Sequence, residues 1–411
     1  KPIFSSGIVT ARDNWVWNFS FECLKSNVAG TIEFYTEELL RFNAAKKSNP
    51  KLVAKNFINY DPKRISWDNR RLIGGIDSNK SIEFDEANIR SGFYRPFCKQ
   101  SIYFSLQVSH SLYLQKDYYP TPNIKNLVIC TTVQGTTTEF SALITNQIVE
   151  YSMGQCFPLY YYEENKTTQK SLFDTDEGQK YIRRDAISNF IFERAKQQYG
   201  KSVTKEDIFY YVYGFLHSKE YRETYVNDLK KMLPRLPLIE DVKDFWAFSK
   251  AGRKLSDLHL NYESVAPSQD VIVNGDDGKH YSVDKMRFPK KDQKDTIIYN
   301  PHITISNIPA KAYEYVVNGK SAIEWIMERY QVTTHKDSGI TNDPNDWATE
   351  VGNPRYILDL LLSIISVSLQ TVDIVNSLPK VDFETNIESG KEINLYPEND
   401  SFSIAAEPAN E

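Results

Sequence analysis

The chain has 411 residues, 49 of them basic and 54 acidic, for a net charge of −5. A hydrophobic content of 41% and a charged content of 25% fit a soluble globular protein of two or three domains, at roughly 100–200 residues each. Seventeen glycines and 18 prolines are too few for collagen or wholesale disorder, and the four scattered cysteines (Cys23, Cys98, Cys130, Cys156) exclude a disulfide-dense scaffold and fit a reducing, cytoplasmic setting.

The chain opens on Lys1-Pro2 rather than Met, as an excised fragment or processed product would, and no cationic-then-apolar leader follows. Residues 1–170 read as a mixed, strand-rich subdomain. Ile32 to Asn43 has helical spacing with acidic residues early, where the helix dipole favours them. Gly92–Phe97, Ser101–Leu106, Asn126–Thr132 and Phe157–Tyr162 are rich in Tyr, Phe, Ile and Val and read as strands.

Residues 171–380 read as largely helical with a small β insertion. Asp185 to Tyr199 repeats its apolar residues every three or four positions, and Thr204 caps a second helix with Glu206 and Asp207 in its first turn. Asp241 to Leu255 makes a third. Leu258–Glu263 and Ile297–Ile308 read as strands flanking the turn signals Asn274-Gly275 and Asp277-Gly278. Ala310 to Tyr330 and Pro354 to Ser377 read as helices. The apolar run Ile357 to Val372 contains Asp359 and Gln370 and is shorter than the roughly 20 residues of a membrane span, so a buried helix is expected. Residues 381–411 carry eight acidic side chains and one lysine and read as a loosely held acidic tail. The expected fold class is α+β.

Signatures of catalysis are weak. Gly74-Gly-Ile-Asp-Ser-Asn79-Lys80-Ser81 approaches a phosphate-binding loop, but Asn79 replaces its second glycine and a surface turn is expected. The six histidines form no HxxxH or HExxH pair, so His217 and His259 are expected to be structural and no metal site is expected. The chain has no G-x-S-x-G, no Asn/Asp-Pro-Pro-Tyr/Phe tetrad for adenine methylation, and no glycine-rich cofactor loop after a strand. A free-standing enzyme is not expected.

Binding features are better represented. Residues 1–300 hold 42 basic and 37 acidic side chains, net +5; residues 301–411 hold 7 and 17, net −10. Residues 51–100 are the most basic stretch, with 10 basic against 6 acidic. Basic and aromatic residues interleave in Arg64-Ile-Ser-Trp67-Asp-Asn-Arg70-Arg71, in Tyr94-Arg95-Pro-Phe97-Cys-Lys99 and in Lys285-Met-Arg287-Phe-Pro-Lys290-Lys291. Arginine forks and lysine charges suit phosphates, and arginine also reads guanine edges.

Four stretches resemble the C-terminal target-recognition region of Type ISP restriction-modification enzymes, single polypeptides that join nuclease, helicase, adenine methyltransferase and DNA-recognition parts. They are Ser6-Gly-Ile-Val-Thr10-Ala-Arg12-Asp13; Tyr94-Arg-Pro-Phe97 with Tyr103-Phe104; Tyr210-Tyr-Val-Tyr-Gly214-Phe-Leu-His217-Ser-Lys-Glu-Tyr221-Arg222 with Leu233-Pro-Arg235-Leu-Pro237, continuing to Leu258–Glu263; and Tyr313–Trp325 with Ser338–Asn345. The likeness runs from about residue 4 to residue 380.

The resemblance implies a DNA-recognition module that holds duplex DNA for an upstream methyltransferase. It implies no cofactor in this fragment: S-adenosylmethionine, ATP and Mg belong to the parent enzyme. Partners would be double-stranded DNA and the methyltransferase and helicase parts, with no membrane. Candidate DNA contacts are Arg12, Arg64, Arg70, Arg71, Arg95 and Lys99, with Lys285, Arg287, Lys290 and Lys291 second. The alternative is an interdomain coupling module without base readout.

Overall fold

The structure, a computed structural model, describes residues 3–165 and 180–381. The architecture is α+β, with strands concentrated in the N-terminal part and helices towards the C-terminus. The tail expected from residue 381 onward lies, apart from Val381, outside the described residues.

Two four-stranded sheets organise the first 160 residues. One has the order Ser5–Ser6, Gln155–Pro158, Val128–Thr131, Ala142–Thr145, all antiparallel. The other runs Trp17–Asn18, Cys98–Tyr103, Ile89–Arg95, Ile148–Val149, and its last pairing is parallel. Side chains alternate across a strand, and the first sheet is apolar on both faces. Val128, Cys130, Leu143 and Cys156 join one core; Ile129, Ala142 and Ile144 join a second. The first core gathers the N-terminal strands, the helix Phe21–Ser48 and residues from 258 to 372. The second packs the helical segment between 187 and 260 onto the sheet's opposite face.

The helix Phe21–Ser48 starts well before the expected Ile32. Ser20 caps it by accepting from the Cys23 N–H, and the Glu350 carboxylate accepts from the Phe21 N–H at 2.9 Å and from Ser20 Oγ at 2.5 Å. A carboxylate at a helix N-terminus satisfies orphan amides and opposes the dipole. A residue 329 positions away thus fixes the start of this helix.

Thr204 forms the expected cap, as a full capping box with Asp207 on the helix Lys205–Phe215. That helix crosses Val242–Leu260 at backbone contact distance. A Cβ on Gly214 would stand 2.2 Å from the Phe248 carbonyl oxygen, and one on Gly252 1.9 Å from that of Tyr210. The helix Val242–Leu260 absorbs the strand expected to start at Leu258. His259 sits in its last turn, because Leu-His-Leu is also what one face of a helix shows over three residues. There it is buried, and links four elements. The Ile144 N–H donates to Tyr213 Oη, Tyr213 Oη contacts His259 Nδ1 at 2.6 Å, and His259 Nε2 contacts Thr371 Oγ1 at 2.9 Å. Burial lowers the His259 pKa to about 3, so the ring is a neutral relay.

The β insertion holds the antiparallel strands Ile272–Asn274, Thr304–Ser306 and Ile297–Ile298. The segment expected as one helix from Ala310 to Tyr330 divides into a 3-10 turn, a two-residue hairpin and the helix Ala322–Arg329. The helix Tyr356–Asn376 is long and apolar enough to cross a membrane, but 72% of its most apolar window is buried inside the protein.

Candidate nucleic-acid interface

The geometry of the basic stretch turns on Asp68. Its carboxylate caps the turn Asn69–Ile73, a single π-helical turn, by accepting from the Arg71 N–H at 2.9 Å and the Leu72 N–H at 3.3 Å. π-turns recur at functional sites because they re-aim side chains. Asp68 also holds Arg12, which donates Nη2 to its Oδ1 and Nε to the Ser66 carbonyl at 3.0 Å. The Arg12 side chain has no exposure. Burial pushes the Asp68 carboxyl up, but Arg12 and the two backbone amides outweigh it and hold it below its usual range.

A third segment closes the hub. Arg71 Nε donates to the His110 carbonyl at 3.1 Å, His110 N–H donates to the Thr10 carbonyl at 3.3 Å, and Val9 pairs with Ser111. Two non-glycine residues here, Ala11 at φ 61° and Tyr113 at φ 46°, occupy the left-handed region. Such strain persists only where surrounding contacts over-determine the backbone, and it clusters at ligand clamps. Both residues are exposed, as are Asn14, Asn69 and Arg70.

Beside the turn lies a groove of about 350 Å³ lined by Lys55, Tyr60, Ser66, Trp67, Asp68 and Asn69. Residues 51–73 carry six basic and two acidic side chains. Asp68 is engaged by Arg12, and Asp61 accepts from the Lys63 N–H at 2.9 Å. Among the described residues, Lys51, Lys55, Lys63 and Arg70 have no ion pair and are exposed.

The ten sequence candidates meet different fates. Arg12 is buried. Arg71 is half-buried and tied to His110. Arg64 is exposed, 3.6 Å from Glu37 and stacked over Phe34. Arg95 pairs with Glu150 at 2.5 Å and lies over Tyr94, while Lys99 pairs with Glu263 at 2.6 Å and lies over Tyr262. Lys285, Arg287, Lys290 and Lys291 are all exposed, and the Arg287 backbone bridges to Ile298. Among the described residues, no hydrogen bond or ion pair joins this last cluster to the Asp68 hub. Only Arg12, Arg70 and Arg71 are brought together.

Sequence reasoning missed Asp68, Asn69, Tyr113 and the lysines at 51, 55 and 63. The acid inside a basic string was the available signal, since a carboxylate two residues before Arg70 is a natural turn cap. The phosphate-loop lookalike forms a short helix, Gly74–Asp77, followed by an exposed turn. A π-turn precedes it where a phosphate loop requires a strand. Among the described residues, no group of three or more His, Cys, Asp or Glu side chains is placed to hold a metal.

Residues 2–360 match the sequence model of a family described as the Type ISP C-terminal specificity domain. The chain belongs to this family.

Solved relatives agree with this Type ISP assignment. A nuclease-deletion mutant of the Type ISP restriction-modification enzyme LlaGI, in complex with a DNA substrate mimic, superposes with a TM-score of 0.80 at 38% identity, covering 92% of this chain and 33% of that one. The ATP-dependent Type ISP enzyme LlaBIII bound to DNA gives 0.79 at 35% identity, covering 92% and 23%. The DrdV–DNA complex gives 0.75 at 26% identity, covering 92% and 36%. The chain therefore spans about a quarter to a third of the length of these relatives. A search of curated proteins finds no match. A specificity domain is a recognition module, and the four sequence stretches that carry the resemblance all fall within the matched region.

Proposed function

We propose that this chain is the DNA target-recognition module of a restriction-modification enzyme, and that it holds duplex DNA for N6-adenine methylation by an upstream domain. Family membership and relatives solved with DNA support the reading. The observation that carries the placement of the interface is Arg70. It is an exposed guanidinium, unpaired among the described residues, on a turn that Asp68 ties from beneath to two other segments. A recognition side chain works best on a backbone that does not move on binding.

In this reading Arg70 and Asn69 face the bases. Arg64, Lys51, Lys55 and Lys63 meet phosphates. Lys285, Arg287, Lys290 and Lys291 form a second contact. Arg12, Arg71, Arg95 and Lys99 act mainly through their internal partners. S-adenosylmethionine, ATP and Mg act in the parent's other domains, in the cytoplasm.

The test is the parent enzyme with Arg70, Lys51, Lys55 and Lys63 changed to Glu. Duplex binding across a salt series should weaken, with a shallower log–log slope, and methylation should fall in step. Unchanged binding with loosened domain packing would replace this reading with the interdomain coupling module.

A further inference from the structure

The sequence block Tyr210–Arg222 leaves one charge without an answer. Arg222 lies on the helix Lys219–Thr224, donates Nε to the Leu216 carbonyl at 2.7 Å and stands 5.8 Å from the Phe140 ring centroid. Among the described residues, it makes no ion pair. Dense packing around it lowers its pKa to about 10. The groups that counter this are Tyr315 and Tyr213, and no carboxylate takes part. A guanidinium set this deep is costly without a counter-charge. Yet Arg222 keeps partial exposure, so solvent reaches the residue.

The surrounding polar atoms are also unanswered. His217 is 2% exposed, and its Nδ1 meets the Tyr213 carbonyl at 2.8 Å. A carbonyl only accepts, so Nδ1 carries the proton. Burial, with Arg222 and His259 nearby, keeps the ring neutral. Nε2 is then a bare acceptor, and it has no partner. Tyr315 is 7% exposed, stacks on His259 at 5.1 Å, lies within electrostatic reach of Arg222, and has an unpartnered hydroxyl. Buried polar groups are nearly always satisfied, so two orphans beside one uncompensated cation mark a ligand.

We propose that Arg222, Tyr315 and His217 bind a small protonated oxyanion of the inorganic phosphate class. The chemistry selects this class. Arg222 and the Tyr315 hydroxyl donate, and a negative oxygen accepts from them. His217 Nε2 accepts, so the ligand must also donate. Hydrogen phosphate does both. Chloride has no proton to give, and a DNA phosphodiester has none at neutral pH. The bound anion ties the helix Lys219–Thr224 to Tyr315 and to His217. The site is independent of the proposed DNA surface.

The test begins with thermal unfolding of the full chain in phosphate and in chloride at matched ionic strength. Above the dissociation constant, the folded-to-unfolded ratio should rise about tenfold per tenfold increase in phosphate, as for any ligand that binds only the native state. Tyr315→Phe, which preserves shape, should weaken that dependence, and Arg222→Met should abolish it. Crystals grown with arsenate should show an anomalous peak beside Arg222, whereas selenate, unprotonated at neutral pH, should occupy the site less. A phosphate response equal to that of chloride, a water molecule bridging Arg222 and His217, or equal occupancy by selenate would each overturn the proposal.

Discussion

Arg12 and Asp68 stand fifty-six residues apart in the chain and form an ion pair in which the arginine side chain has no solvent exposure. The pair makes Arg12 a structural residue rather than a free cation. Asp68 uses one carboxylate to neutralise Arg12 and to cap the turn that presents Arg70.

Removing the carboxylate leaves Arg12 buried and charged with nothing opposite it. Asp68→Ala is expected to cost about 3–5 kcal/mol in urea unfolding, the range for breaking one half of a buried pair. Arg70→Ala should change stability by no more than about 0.5 kcal/mol, as an exposed, unpartnered side chain would. Comparable losses from both would show that the hub does not separate scaffold from surface.

The same two classes should part on DNA. In the parent enzyme, Arg70→Ala is expected to weaken duplex binding and to lower the log–log salt slope by about 0.9 for each phosphate that is no longer neutralised. Arg95→Ala and Lys99→Ala remove cations already paired with Glu150 and Glu263, and should leave the slope unchanged. Fluorescence anisotropy across a salt series checks both.

Acid should find Asp68 late. Its folded pKa lies below its unfolded value, so the stability it contributes is fully present above the unfolded pKa. That stability is lost as pH falls through the folded value. Glu150 behaves in the opposite sense. Burial raises its pKa more than Arg95 and Ser152 lower it, so its contribution to stability declines as pH rises through the ordinary carboxylate range. Unfolding free energy measured against pH should change slope less at low pH in Asp68→Asn, and should decline less with rising pH in Glu150→Gln.

The crossing of Lys205–Phe215 with Val242–Leu260 has no room for a methyl group. Gly214→Ala and Gly252→Ala should each destabilise by about 1–3 kcal/mol through overpacking. Both lie in the second core, so DNA affinity of the folded fraction should be unaffected. Urea titration with a binding assay on the soluble enzyme separates the two effects.

Local signals in the sequence were legible where one short segment decides the outcome. Thr204 with Asp207 marked a helix start correctly, and the strands that hold Tyr94 and Tyr103 followed from their aromatic, β-branched runs. The helix start at Phe21 was not legible, because half of its cap comes from Glu350. The end of Val242–Leu260 read as a strand because Leu-His-Leu fits both periods. The recognition family was legible from ordered residue strings. The fate of each cation was not, because Glu150 and Glu263 become partners of Arg95 and Lys99 only once the chain has folded.

The sheet through Val128–Thr131 has a thermodynamic consequence. Alternate residues of one strand belong to opposite cores, so neither core can lose its order without exposing the back of the other. The two halves should therefore melt in one calorimetric transition. A chain cut near residue 170 should yield two pieces that are each insoluble alone and regain structure when mixed.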